Sequence, residues 1–173
     1  MIQIETTGSA AIQAALQRLR GAVDDMRPAL GEIGQALEEN IRIRFVTKTD
    51  PAGQAWEPYK AISAAIHKAR KGTDINGSLL LRTRTMEGST EHHVGADFVE
   101  VGLSDQKAIF HEFGTSPRGK KGGGAIPRRG MVFGTVSGQG QGAQVAQALS
   151  ADDEADVMEI IQSHIQRAMG GLG

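Results

Sequence analysis

The chain has 173 residues, 39% hydrophobic and 23% charged, with a formal net charge of -1. That is enough apolar material for one domain with its own core, and the near-neutral balance gives no global pull toward nucleic acid or acidic membranes. With no cysteine, disulfides, thiolate zinc sites and a Cys nucleophile are excluded. No signal peptide and no apolar run of the roughly 18–20 residues that span a bilayer is read, so the chain is expected to be soluble and intracellular when made.

Met1 to Glu5 alternates apolar and polar residues, as a short strand does, and Ser9 can cap a following helix. From Ala10, residues Ile12, Leu16, Leu19, Val23 and Met26 recur at three and four, predicting a helix that ends or kinks near Pro28. Leu30, Ile33, Leu37, Ile41 and Phe45 predict a second, stronger helix. Pro28 fits its first turn, and the pair forms a hairpin or one kinked helix. Lys48 to Tyr59 is a loop by its Asp-Pro and Ala-Gly punctuation, and its Trp56 and Tyr59 are suited to pinning it onto a core.

Ala61 to Lys71 predicts a short basic helix. Leu79-Leu80-Leu81 with Met86 is an apolar segment whose period does not separate helix from strand. Val94 to Gly102 predicts a strand, with a hairpin across Gly95-Ala96-Asp97 as an option. Ser104-Asp105 can cap a short helix that runs through Phe113 and stops at Gly114. Met131 to Val136 predicts a strand, Gly138 to Gly142 a flexible linker, and Asp152 to Met169 a last helix. That helix places Val157, Ile160, Ile161, Ile165 and Ala168 on one face, and its acidic start and Arg167 near its end suit the dipole.

The segment between the short helix and the next strand carries most of the functional signal. From Arg118 to Arg129 there are five basic residues and no acidic one. Gly114 to Lys121 has the G-x-x-x-x-G-K spacing of a phosphate-binding loop. However, Lys121 stands where the magnesium-binding hydroxyl belongs, and Pro117 removes a backbone donor. His111-Glu112 lacks the second histidine of H-E-x-x-H, because position 115 is Thr. His92 and His93 are adjacent, so their side chains need not converge on a metal. Neither a cofactor nor a metal is expected. The basic run can serve as a solvated loop, as a phosphate-backbone contact, or as an arm docking on a neighbouring subunit.

Four blocks in order resemble the phage virion morphogenesis (tail completion) family of Mu-like tailed phages. They are Phe45 followed by Asp50-Pro51-x-Gly53-x-x-Trp56-x-Pro58, then Leu79-Leu80-x-x-Thr83-x-x-Met86-x-x-Ser89. Val99-x-Val101-Gly102 leading into Ala108 to Gly114 (AIFHEFG) is third, and Ile126-Pro127-x-Arg129 is last. The resemblance runs from about Leu30 to Gly173, leaving out the first helix. Departures are Ala108-Ile109-Phe110 for the usual Tyr-Ala, Glu112 for Gln, Arg84-Thr85-Met86 for Gly-x-Leu, and Gly130-Met131 for Pro-Phe.

The resemblance implies an α+β fold: a small central antiparallel sheet or sandwich packed by N- and C-terminal helices, with a long basic Gly-rich loop. The expected organisation is a single domain over 1–173: a helical segment 1–47, a core 48–136 carrying the loop 115–128, and a C-terminal helix 143–173. It further implies a non-enzymatic protein of the tail or head-tail neck, assembled as a hexameric ring around the DNA channel. Asp50, Pro51, Gly53, Trp56, His111, Phe113 and Gly114 would define the fold. Arg118, Lys120, Lys121, Ile126, Pro127, Arg128 and Arg129 would meet a second subunit or a partner. Partners would be tail-tube, sheath or head-tail connector proteins, or DNA in the lumen, with no membrane. The chain would be in the host cytoplasm during assembly and in the virion afterwards. The competing readings are a nucleic-acid-binding module built on the basic loop and a hydrolase using His111 and Glu112.

Overall fold

A computed structural model describes residues 10–59, 65, 68–69, 78–116, 125–133, 135–137, 143–147 and 149–169. Helix α1 spans Ala10–Asp24 and α2 spans Arg27–Thr47. Between them Asp25 accepts hydrogen bonds from the Arg27 backbone N–H and Nε. Pro28 lies in the first turn of α2, where no helical acceptor awaits the N–H it lacks. Helix α2 ends at Lys48, which turns left-handed at φ 58°. Its buried stripe is Ala29, Ile33, Ile41 and Phe45, joined by Gly34 and Arg44.

Strands β1 (Thr90–Val94) and β2 (Val99–Leu103) form an antiparallel pair in register from Thr90 opposite Leu103 to Val94 opposite Val99. The Gly95 N–H bonds the Phe98 carbonyl across the turn, so the hairpin option at Gly95-Ala96-Asp97 is the one adopted. Both strands pack on α2. The approach is close enough that a Cβ on Gly34 would stand 2.5 Å from the His92 ring. Helix α3 is only Ala108–Glu112. It starts later than the Ser104-Asp105 signal suggests, because Asp105 caps a preceding turn by accepting the Lys107 N–H at 2.9 Å.

Strands β3 (Thr135–Ser137) and β4 (Gln144–Gln147) make a second antiparallel pair, and α4 (Ala151–Met169) packs against α1 and α2. The architecture is α+β, as expected, with its antiparallel strands in two separate pairs. The core gathers Ile41, Phe45, Trp56, Leu79, Met86, Ala108 and Met131. Trp56 meets Phe45 edge to face at 5.6 Å.

Three expectations are corrected. Leu79 to Met86 is neither helix nor strand: it is a run of turns with Leu80 and Arg84 at positive φ, followed by a 3-10 turn at Glu87–Ser89. Its apolar residues plug the core singly instead of following a period. Met131 to Phe133 is not strand either, because its backbone N–H groups are taken by a side chain described below; the strand begins at Thr135. And 143–173, expected as the C-terminal helix, begins with strand β4 at Gln144–Gln147; the helix starts at Ala151. The predicted strand at Met1–Glu5 and the linker at Gly138–Gly142 lie outside the described residues. So does the helix at Ala61–Lys71, apart from Ala65, Lys68 and Ala69.

Candidate functional site

The described flanks of the basic segment build a hydrogen-bonded frame. Glycine suits position 114, where the chain turns out of α3 at φ +67°. The Thr115 N–H then bonds the Ile126 carbonyl at 2.9 Å, while the Ile126 N–H bonds Thr115 Oγ1 at 2.9 Å. A second rung follows inward, from the Arg129 N–H to the His111 carbonyl at 2.6 Å. Residues 116–125 are therefore closed off at their base by antiparallel rungs.

Glu112 fixes the far side of the frame. It is 4% exposed, and its carboxylate accepts three consecutive backbone N–H bonds, from Met131 at 2.7 Å, Val132 at 3.1 Å and Phe133 at 3.1 Å. Burial pushes its carboxyl up, against the pull of those three donors and of Arg128. Its backbone carbonyl accepts Arg128 Nε at 3.1 Å. Phe113 and Phe133 pack with ring centroids 5.8 Å apart beside it.

Arg129 is turned inward at 2% exposure. Its Nε donates to the Glu57 carbonyl at 2.8 Å, its guanidinium lies 5.2 Å from the Tyr59 ring centre, and one nitrogen faces His111 Nδ1 at 3.3 Å. Burial, aided by that guanidinium, lowers the His111 pKa to about 4. A neutral ring with Nδ1 unprotonated can accept from the guanidinium, so this tautomer fits the contact.

The Asp50–Trp56 loop supplies the floor. Asp50 Oδ1 accepts the N–H groups of Ala52 and Gln54, and Gly53 takes the left-handed corner at φ +77°. The Trp56 indole N–H then reaches the Gly130 carbonyl at 2.9 Å. Of the residues expected to define the fold, Trp56, His111 and Phe113 bond or pack against the re-entry segment 128–133, Asp50 and Gly53 shape the turn that leads to Trp56, and Gly114 turns the chain out of α3.

Of the residues expected to meet a partner, Ile126, Pro127 and Arg128 are half-buried at the loop exit and Arg129 is buried beneath it. Arg118, Lys120 and Lys121 lie outside the described residues. Both His111 and Glu112 are engaged in internal bonds, His111 with Arg129 and Glu112 with the Met131 to Phe133 N–H groups. No cluster of three metal-ligating side chains occurs among the described residues, and His92 instead pairs with Glu38 on α2. No described helix is long and apolar enough to cross a membrane.

Sequence reasoning missed a second anchor. Arg44 on α2 donates through one nitrogen to both Asp153 oxygens at 2.6 Å and through the other to the Met131 carbonyl at 2.9 Å. Asp153 and Ser150 cap each other at the start of α4: the Asp153 N–H bonds Ser150 Oγ at 3.1 Å and Ser150 Oγ donates back at 2.8 Å. Asn40 adds a bond to Asp153 at 3.0 Å and one to Asp156 at 2.7 Å. Burial pushes the Asp153 carboxyl up, but Arg44, Ser150 and Asn40 outweigh it and hold it below its usual range. The S-x-x-D spacing at Ser150 is a readable capping signal; the partnership with Arg44 is not readable.

Comparison with known proteins gives one finding. A model described as the phage virion morphogenesis family matches residues 8–166, taking in α1 as well as the blocks from Phe45 onward. No curated protein and no solved structure matches the chain.

Proposed function

From the premise that the chain belongs to the phage virion morphogenesis family, a structural and non-enzymatic family of tail proteins, we propose that it completes the tail or joins it at the head-tail neck. It does so as a closed ring, expected to hold six copies, around the DNA channel. Arg118, Lys120 and Lys121 contact the neighbouring subunit or a tail-tube, sheath or connector protein, with Ile126, Pro127 and Arg128 at the edge of that contact. Arg129 is the anchor beneath it.

The observation that carries this reading is the doubly closed base of the loop. Thr115–Ile126 and His111–Arg129 hold the exit points of a basic span in fixed register, which reduces the ordering cost when the span docks. A nucleic-acid module using all five basic residues fits less well, because Arg129 faces Glu57, Tyr59 and His111 instead of solvent.

Native mass spectrometry of the purified full chain, alone and mixed with cognate tails lacking this protein, tests the proposal. A ring of six copies, free or on the tail end, is expected, with loss of assembly when Arg118, Lys120 and Lys121 are all changed to Glu. A chain that stays monomeric alone and does not load onto tails overturns it.

A further inference from the structure

Two exposed apolar patches lie on helices that share one core. On α2, Ile41, Arg44 and Phe45 point inward, whereas Ile43 and Val46 are 47% and 64% exposed. At 100° per residue the outward pair is centred almost diametrically opposite the inward three. On α3, Ala108 and Glu112 point inward, and Ile109 and Phe110 are 56% and 41% exposed. Ala108 belongs to the same buried cluster as Ile41 and Phe45. Both helices therefore turn their inner faces to one core and keep a separate apolar outer face.

Each patch carries a charge of opposite sign. Glu39 precedes Ile43 by four residues and Val46 by seven, so it lies in their stripe. It is exposed and only 3.9 Å from Arg42 at its nearest approach. Lys107, exposed at the N-cap of α3, stands three residues before Phe110. Two different faces, matched in polarity and complementary in charge, are what a head-to-tail contact between identical chains requires. A two-fold contact needs one face that fits itself.

We propose that the Glu39–Ile43–Val46 face of α2 docks on the Lys107–Ile109–Phe110 face of α3 of a second copy, with Glu39 paired to Lys107. This rests on the assembly reading above and supplies it with a repeating interface. The buried apolar side chains hold the copies together. The charge pair sets the direction, because two α2 faces would bring Glu39 against Glu39.

The chain has no cysteine, so introduced ones report this contact alone. Val46→Cys and Ile109→Cys are made together and singly in the full chain, with circular dichroism to verify folding. The double variant, mildly oxidised, should give a ladder of covalent multimers on a non-reducing gel, and the single variants no ladder. A 1:1 mixture of Val46→Glu and Ile109→Glu should yield dimers and nothing larger, since each variant keeps one working face. If the unaltered chain assembles but the double-cysteine chain gives no ladder, or a single-cysteine chain gives strong dimers, this interface is overturned while the assembly reading survives. If the unaltered chain does not assemble with or without tails, both fall.

Discussion

Replacing Asp153 with Ala tests the joint between α2 and α4. Asp153 is 1% exposed and Arg44 8% exposed, so the substitution leaves a guanidinium buried opposite a small void with the Met131 carbonyl and Ser150 Oγ as its remaining partners among the described residues. Removing one partner of a buried ion pair costs about 3–5 kcal/mol. Part of that, about 1 kcal/mol, is the lost helix cap. For a chain of this size each kcal/mol moves Tm by about 2–4 °C, so a drop of about 10 °C is expected.

Urea unfolding followed by far-UV circular dichroism gives the free energy directly, with the m-value checking that the unfolded state is unchanged. The control is Arg44→Met with Asp153→Leu, which removes both charges and should recover most of the loss apart from the cap. The reasoning is refuted if Asp153→Ala stays within about 1 kcal/mol of the parent. It is equally refuted if the double variant is no more stable than the single one.

Three further outcomes follow from the same geometry. Glu112→Ala orphans three backbone N–H groups and should cost about 3–5 kcal/mol. Glu112→Gln, which keeps one acceptor oxygen, should cost about 1–3 kcal/mol; equal losses in thermal melts would refute the three-donor account. Gly34→Ala drives a methyl into the His92 ring and should cost about 1–3 kcal/mol, much of it recovered when His92→Ala is added, so additive effects in a double-mutant cycle would count against the contact.

His111 ties stability to pH. Its folded pKa of about 4 lies below the ordinary 6.5 because of burial and then Arg129, so the unfolded chain binds more protons between those values. Stability is therefore full above pH 6.5 and falls as pH drops toward 4, by about 1–2 kcal/mol after allowing for screening of a partly exposed ring. The raised Glu112 pKa acts in the opposite sense, since its contribution falls as pH rises. His111→Asn should flatten the slope between pH 4 and 6.5 in urea melts; an unchanged slope would assign the pH dependence elsewhere.

The elements that the sequence revealed are those whose residues carry their own instructions. Helix α2 was legible from Leu30 to Phe45 because its core stripe repeats at the helical period, and Pro28 marked its start. Gly95 marked the hairpin turn. The Asp50–Gly53 corner was legible because an Asp side chain and a left-handed glycine build it locally. What escaped was set by distant partners. Met131–Phe133 has strand-like residues, yet Glu112, about twenty positions earlier, claims its N–H groups. Arg44 sits at a helix position that a solvated arginine would fill equally well. Only Asp153, more than a hundred residues on, makes it internal. Leu79 to Met86 had composition without period, and burial alone decided it. Strand β4 is four residues with Val145 its one β-branched member, too short a run to signal a strand before its pairing with β3 is known.

The rungs at Thr115–Ile126 and His111–Arg129 also separate length from fold. The ends of the intervening span, Thr115 and Ile126, are bonded to each other, and closing a longer loop costs about 0.6 kcal/mol for each doubling of its length. An insertion within 116–125, beyond the Thr115–Ile126 rung, is therefore expected to be tolerated. A reporter peptide or affinity handle placed between Gly122 and Gly124 should leave Tm within about 2 °C of the parent. The same peptide between Gly130 and Met131 would break the bonds from Glu112 and Arg44 and unfold the chain. One stretch of primary structure thus sets a span whose two ends are bonded together beside a segment whose register Glu112 and Arg44 hold residue by residue.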